Sequence, residues 1–448
     1  MLRKTIRTIF CIFILPACSK TQDSQPIATS PLVAVLNCSS VSYTASATAN
    51  IAYTATATLP YAGGNGIKYS IGNPIHSTGV TGLTATLQAG ALTSGNGQLS
   101  YSISGTPKNA GTAVFSINFG GKTCSINLTV APNNYVFAKG ADIGWLDQME
   151  KTGYIFYDTD GTQKDCLQLL KDRGMNSVRL RVWVNPSDDK TNGHCSKAET
   201  VAMAVRAKNM GMRVMIDFHY SDSWADPGKQ NKPAAWATHS FTQLLDDVYN
   251  HTYDVLNDLK TAGVTPAWVQ IGNEIPGGML WPDGSSSNFS QLVQLINKGY
   301  DATKAISSSI KVVVHIDQGN DNSKFRWFFD NATANGVKFD VIGASYYPYW
   351  LNSNYTATIN NLQVNLNDMV TRYGKEVMVV EVGGDYTLVQ NTYDMLTAVI
   401  NIVRNIPNSK GLGVMYWEPE GEKSWSGYQL NCWQSDGKPS LALDAFKN

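Results

Sequence analysis

Residues 197–220 read KAETVAMAVRAKNMGMRVMIDFHY, and their order sets the fold. Lys197 to Asn209 has the apolar spacing of a helix, and Gly211 follows where a left-handed stop would sit. Arg213 to Phe218 is then an apolar run of strand length, and it gives out into Asp217-Phe218-His219-Tyr220. A helix, a glycine exit and a strand that ends in acid and histidine make one unit of an alternating α/β chain.

The unit recurs along the chain. Further strand-like runs are Val136 to Ile143, Ser177 to Val182, Trp268 to Ile271, Lys311 to His315, Val341 to Ser345, Val377 to Val380 and Gly411 to Tyr416. Helical stretches between them are Gln163 to Arg173, Phe241 to Ala262, Phe289 to Ser307, Lys324 to Asn335, Thr358 to Tyr373 and Gln390 to Ile406, with Leu441 to Phe446 closing the chain. Eight strands each followed by a helix predict an α/β fold, a (β/α)8 TIM barrel over residues 135–448. A doubly wound open sheet would want a glycine-rich phosphate loop after its first strand, and Lys139-Gly140-Ala141-Asp142 is not one.

Upstream the texture changes. Residues 33–131 are rich in Ser, Thr, Ala and Gly, with short runs alternating at a period of two, such as Tyr53-Thr54-Ala55-Thr56-Ala57. This predicts a smaller immunoglobulin-like β-sandwich. It carries no Asp, Glu or Trp, which leaves two roles open, a spacer or a carbohydrate-binding module. Residues 1–17 have the positive start and short apolar run of an export signal, and 18–32 read as a polar tether. Leu15-Pro16-Ala17-Cys18 resembles a bacterial lipoprotein signal, which would make Cys18 the lipidated N-terminus and the protein an exported lipoprotein, on the outer membrane or surface of a Gram-negative cell. Ordinary secretion is the alternative. Cys38 and Cys124 bracket the sandwich and make a disulfide there, whereas pairing Cys195 with Cys432 is a guess across a long separation.

Composition excludes some functions. Lys and Arg total 35 against 35 Asp and Glu, so no excess charge is available for neutralising the phosphates of a nucleic acid. The 11 Trp and 21 Tyr are a generous share; most fill cores, and others suit sugar binding, because a flat ring stacks on the apolar face of a hexose.

In a barrel of this kind the active site lies at the C-terminal strand ends. Every one of these strands ends in polar residues: Asp142; Arg179 and Arg181; Asp217 and His219; Asn273-Glu274; His315 and Asp317; Tyr347; Glu381; Trp417-Glu418. Glu274 and Glu381 follow the fourth and seventh strands directly, across the barrel from each other. A glycosidase needs such a pair, one carboxyl to protonate the leaving oxygen and one to attack or to activate water.

From about Phe137 to Phe446 the chain resembles glycoside hydrolase family 53, the endo-β-1,4-galactanases of the retaining clan A. The resemblance rests on an ordered series of motifs: Lys139-Gly140-Ala141-Asp142, the run from Ser177 to Pro186, the run from Asp217 to Pro227, Ile271-Gly272-Asn273-Glu274-Ile275, Leu280-Trp281-Pro282, His315-Ile316-Asp317, Ser345-Tyr346-Tyr347-Pro348 and Tyr416-Trp417-Glu418-Pro419. It implies that Glu274 is the acid/base and Glu381 the nucleophile, with a carboxyl separation of about 5–5.5 Å. It implies further that Asn273 binds the sugar 2-hydroxyl and that Arg179 and Tyr347 orient Glu381 and keep it ionised. Which of Arg179 and Arg181 meets the nucleophile stays open. Asp142, Asp217, His219, His315 and Asp317 would line the cleft. Trp417 would form the floor of the reacting subsite, with Trp224, Trp281 and Trp350 as stacking platforms.

The implied substrate is β-1,4-galactan, the side chain of pectin, and its oligosaccharides; no cofactor or required metal is expected, and the protein is expected to be a monomer. Two departures from the family pattern stand out. Val382-Gly383-Gly384 follows the nucleophile where many relatives have Thr and then an aromatic, and the loop from Glu418 to Pro439 is compact. Another β-1,4-glycan as substrate, or a surface glycan-binding protein without catalysis, are the competing readings.

Overall fold

The computed structural model describes residues 30–133 and 136–448. The expected signal at 1–17, with Cys18 and most of the tether, lies outside them. Two compact units divide the chain, one ending at Asn133. No helix among the described residues is long and apolar enough to cross a membrane.

The first unit is built of strands. Val35–Leu36, Tyr53–Asn65, Ser94–Gly105, Leu83–Leu87 and Ile75–His76 lie in that order in one sheet, with Ser42–Tyr43 also paired to Tyr53–Asn65. Ala47–Thr48, Lys122–Ala131, Gly111–Phe119 and Thr78–Gly79 make the other. The alternation seen in sequence is the burial pattern: Tyr53, Ala55, Ala57, Leu59 and Tyr61 face a core shared with Ile103, Phe115 and Ile126, while the intervening threonines face outward. Gly120 and Gly121 close a two-residue hairpin with positive φ angles of 60° and 75°, as a primed turn requires. Cys38 and Cys124 are disulfide-bonded, and Cys166, Cys195 and Cys432 are buried free thiols, so the guessed Cys195–Cys432 pair does not form.

The second unit is a closed parallel barrel, the TIM barrel expected from the repeat. Its strands are β1 (Ala138–Asp142), β2 (Ser177–Val182), β3 (Arg213–Phe218), β4 (Trp268–Ile271), β5 (Lys311–Ile316), β6 (Val341–Tyr346), β7 (Glu376–Val382) and β8 (Gly411–Tyr416), each beside its sequence neighbours. Helices Cys166–Asp172, Lys197–Asn209, Phe241–Thr261, Phe289–Ile306, Asn322–Ala334, Tyr355–Tyr373 and Val389–Arg404 fall within a few residues of the expected ones. Gly174, Gly211, Gly263 and Gly374 all take positive φ at helix exits, where a side chain would be strained.

Alternation along the strands sorts two cores. Met215, Trp268, Val313, Val341, Met378 and Met415 belong to a compact inner cluster. Val178, Leu180, Ile216, Val269, Val312 and Val314 pack in a larger cluster with the helices. Each such buried side chain contributes about 1.5–3 kcal/mol relative to exposure. The same period puts Arg179, Asp217, Gln270 and His315 on the inner face, towards the C-terminal end, where all four are buried. The rule breaks after Val380, which still belongs to the inner cluster. The β6–β7 register runs Gly343 to Met378 and Ala344 to Val379, then jumps to Ser345 opposite Glu381, leaving Val380 as an extra residue in a bulge.

Candidate active site

Arg179 is the hub of the site. Its Nη1 lies 2.5 Å from Asp142 Oδ2, and its Nη2 lies 2.8 Å from Asp217 Oδ2 and 2.9 Å from Glu381 Oε1. Nη2 also donates to Asn273 Oδ1 at 2.8 Å, and Nε donates to Gln270 Oε1 at 3.2 Å. Three carboxylates from β1, β3 and β7 thus meet one cation on β2. A buried guanidinium is tolerable only with such partners. Arg181, two residues on, shares Asp142 at 3.5 Å but turns away from Glu381: it pairs with Glu418, and its guanidinium lies 4.4 Å from the centre of the Trp224 ring. Arg179, and not Arg181, is therefore the arginine that meets Glu381.

Glu381 also accepts a hydrogen bond from the Tyr347 hydroxyl at 3.1 Å. Burial pushes the Glu381 carboxyl up, and Arg179 and Tyr347 pull it back without cancelling the rise. The expectation that these two partners hold it low is corrected to that extent, because burial outweighs them. Glu274 is pushed much further, by burial first and by the charge of Glu381 second. Ser345 donates to Glu274 Oε1 at 2.5 Å. The two glutamates thus sit in one cleft with their proton affinities driven apart, which suits one to hold a proton while the other stays ionised.

Local backbone aims Glu274. Gly272 has φ +78° and Glu274 φ +45°, so the chain turns sharply as it leaves β4. A Cβ on Gly272 would come within 2.8 Å of Ile275 Cγ2. Beyond β7, Gly383 lets the Tyr347 ring pack closely, since a Cβ there would meet Tyr347 Cε1 at 3.1 Å. Gly383 thus makes room for the tyrosine that touches Glu381, while Gly384 packs against Thr392.

A cavity of about 380 Å³ is lined by His219, Trp224, Asn273, Glu274, Tyr347, Trp350, Glu381, Trp417 and Tyr428, among others. A neighbouring one of about 370 Å³ is lined by Glu274, Asp317, Ser345, Tyr347 and Trp350. Glu274, Tyr347 and Trp350 border both, so the two read as one cleft running past the carboxylates. Trp417 lies edge-on to Trp145 and Tyr428, at 5.1 Å and 4.7 Å between ring centres. His219 Nδ1 accepts from the Ala225 amide at 3.1 Å, which leaves Nε2–H to donate to Asp217 at 3.0 Å.

Not every expected residue reaches the cleft. His315 is fully buried beneath it, between Asn273 and Ser345, and lines neither cavity. Asp142 and Asp217 are likewise sealed below, as partners of Arg179. Trp281 also lines neither; its indole N–H donates to the Gly277 carbonyl of its own loop at 2.8 Å. The alternation that brings Asp217 and His315 inward also buries them, and Trp281 is held back by its loop.

Gln270, Ser345 and Tyr428 were not singled out in sequence. Gln270 was legible as the one polar residue inside Trp268-Val269-Gln270-Ile271. It donates to Asp217 Oδ1 at 2.6 Å and to Asn273 Oδ1 at 3.1 Å, holding both. Tyr428 had no such signal, since it comes from a loop. Among the described residues no three or more His, Cys, Asp or Glu side chains are arranged to hold a metal ion.

Known proteins resemble this chain over the barrel. A probable arabinogalactan endo-β-1,4-galactanase A of Neosartorya fischeri is 36% identical, over 63% of this chain and 83% of its own length. An endo-β-1,4-galactanase of Bacillus subtilis is 34% identical, over 64% of this chain and 70% of its own. Among solved structures, the family 53 catalytic domain of Ignisphaera aggregans superposes with a TM-score of 0.65 at 32% identity, covering 69% of this chain and 95% of that one. Glycosyl hydrolase family 53, as a sequence profile, matches residues 138–438, about two thirds of the chain, and the protein belongs to that family.

Proposed function

We propose that the protein is a retaining endo-β-1,4-galactanase acting on galactan and type I arabinogalactan. The observation that carries the reading is the shared cleft of Glu274 and Glu381, with Arg179 and Tyr347 on Glu381 and a stronger upward push on Glu274. Glu381 attacks the anomeric carbon while Glu274 protonates the departing oxygen, forming a glycosyl–enzyme ester. Glu274, now ionised, takes a proton from water, and that water releases the sugar with the original configuration.

Asn273, fixed by Arg179, Gln270 and the Ala225 carbonyl, presents its amide to the sugar 2-hydroxyl. Trp417 floors the reacting subsite, and Trp224 and Trp350 stack on sugars further along the cleft. His219 and Asp317 complete its walls.

The test is product analysis on linear β-1,4-galactan beside cellulose, mannan, xylan and β-1,3-galactan. Galacto-oligosaccharides from the first alone support the proposal. Cleavage of another β-1,4-glycan instead keeps the two glutamates and overturns the substrate. No cleavage of any of the five favours a glycan-binding protein.

The leader and Cys18 support export as a lipid-anchored protein at the surface of a Gram-negative cell, acting as a monomer on pectin side chains. The N-terminal unit, read as an immunoglobulin-like sandwich, then serves as a spacer. Radiolabelled palmitate incorporated by the wild type and lost in Cys18→Ala tests the anchor.

A further inference from the structure

Three groups behind Glu274 form a hydrogen-bonded circuit. Ser345 Oγ lies 2.5 Å from Glu274 Oε1 and 2.8 Å from His315 Nε2, and the Glu274 backbone amide points at His315 Nδ1 at 3.4 Å. His315 and Ser345 come from the inner faces of β5 and β6 and are buried. Burial also drives His315 far below its usual range, so its ring is neutral and carries a single N–H.

Resting on the reading of Glu274 as the acid/base, we propose that Ser345 and His315 are positioning residues that keep the acid proton of Glu274 on Oε2, free for the departing sugar oxygen.

The argument is a count of donors. With the ring proton on Nε2, His315 donates to Ser345, Ser345 donates to Glu274 Oε1, and the Glu274 amide donates to Nδ1. Every donor finds an acceptor whether Glu274 is protonated or ionised, because Oε1 accepts in both states. A proton on the carboxyl group is then left to Oε2. The other tautomer would donate from Nδ1 to Asn273 Oδ1, 3.1 Å away. That oxygen already accepts from Arg179 Nη2 and Gln270 Nε2. In that tautomer Ser345 must donate to Nε2, so Oε1 must itself carry the acid proton and point it into the barrel. Once Glu274 ionises, Ser345 must either leave Oε1 facing lone pairs or turn to it and leave Nε2 without a donor. The acid/base passes through both states in each turnover, and only the Nε2–H circuit serves both.

Other charged and titratable groups face Glu274: Glu381 from β7, Asp317 beyond β5, Arg179 from β2, Tyr347 beyond β6 and Tyr428 from the loop after β8. Ser345→Ala removes none of these groups, so the shift read below tests the lost hydroxyl.

The experiment compares kcat/KM on β-1,4-galactotetraose and on 2,4-dinitrophenyl β-galactobioside, whose leaving group needs no proton. In Ser345→Ala the ratio of the two should fall about tenfold against galactotetraose, a fraction of what a general acid supplies. The alkaline limb of kcat/KM on galactotetraose should move to higher pH, since an ionised Glu274 has lost a donor. Ser345→Thr, which keeps a hydroxyl, should restore both. Nitrogen-15 spectra of the histidine-labelled wild type, assigned by difference with His315→Gln, should show the Nε2–H tautomer. Equal losses on both substrates, an unmoved limb, or an Nδ1–H ring would overturn the proposal. Glu274→Ala is the control: it should lose galactotetraose cleavage and keep the activated substrate. If it keeps both, the acid/base reading fails; if it behaves as expected while Ser345→Ala matches wild type, only the circuit fails.

Discussion

Ser345 on β6 stands opposite Glu381 on β7, although the preceding pair is Ala344 and Val379. The extra residue, Val380, decides which way Glu381 points. Met378 and Val380 belong to the inner cluster and Val379 to the outer, so strict alternation would send Glu381 out towards the helices. The bulge inserts one residue and returns Glu381 to the inner face, within 2.9 Å of Arg179. Val382, beyond it, packs in the outer cluster again.

The pairing of Arg179 with Glu381 bears on stability as well as on chemistry. Arg179→Ala leaves Asp217 and Glu381 buried without their cation, and Asp142 with Arg181 alone at 3.5 Å. It should cost roughly 3–5 kcal/mol, read by urea unfolding. Arg179→Lys keeps the charge and loses the fork, so it should retain more stability while kcat/KM still falls. Equal unfolding midpoints for wild type and Arg179→Ala would contradict the burial of this cluster.

The divergent surroundings of the two glutamates set a pH profile. Activity needs Glu381 ionised and Glu274 protonated. At low pH the limb follows protonation of Glu381; at high pH it follows loss of the Glu274 proton. Because Glu274 is raised well above the usual carboxylate range, the upper limb should lie well above pH 4.5. It should vanish in Glu274→Ala assayed with an activated aryl galactoside. In the same variant, azide should replace water's assisted attack, and a β-galactosyl azide is the product expected for retention.

Gly272 is where the backbone turns to present Asn273 and Glu274. Gly272→Ala must adopt φ +78° with its Cβ 2.8 Å from Ile275 Cγ2. The conformational part alone is roughly 1–2 kcal/mol. The melting temperature should drop, and kcat should fall with it as Glu274 is displaced. An active, fully stable variant would refute the strain.

Trp350 and Trp281 make a contrasting pair. Trp350 is 59% exposed and borders the cleft, whereas Trp281 lines neither cavity. Trp350→Ala should raise KM on galactan about tenfold, equivalent to roughly 1.4 kcal/mol, with little change in melting temperature. Trp281→Ala should leave KM close to wild type. The reverse pattern would move the stacking platform to Trp281.

Helix Lys197–Asn209 offers a test away from the site. Ser196 accepts from the Glu199 amide, while the Glu199 carboxylate accepts from the Ser196 amide at 2.9 Å, a capping box. Burial raises Glu199, but hydrogen bonds from His194, Ser196 and Lys151 outweigh it and bring the group to about 2. A depressed carboxylate stabilises the fold fully above its unfolded value of 4.5, and the gain is lost as pH falls towards 2. Glu199→Gln should therefore unfold more readily than wild type at pH 7 and converge with it near pH 2. Ser196→Ala should cost about 1 kcal/mol.

What the sequence determined by itself is the repeat and its punctuation. Period-two runs, helical runs and glycine exits are local properties of adjacent residues, so all eight strands and the principal helices were legible, and with them the strand ends where polar residues collect. Ordered motifs carried Glu274, Asn273 and Arg179 in the same way, and Glu381 was legible as the carboxylate that ends the apolar run Val377 to Val380. Tertiary structure decided the rest. Arg179 and Arg181 share a strand face, and only the placement of Glu381 and Glu418 around the barrel tells them apart. His315 and Trp281 looked like cleft residues, yet one is sealed under Asn273 and the other is tied to Gly277. Ser345 gained its contact with Glu274 from two different strands. Direction and depth around a closed barrel depend on register, bulges and loop closure between distant segments, and no period within one segment encodes them.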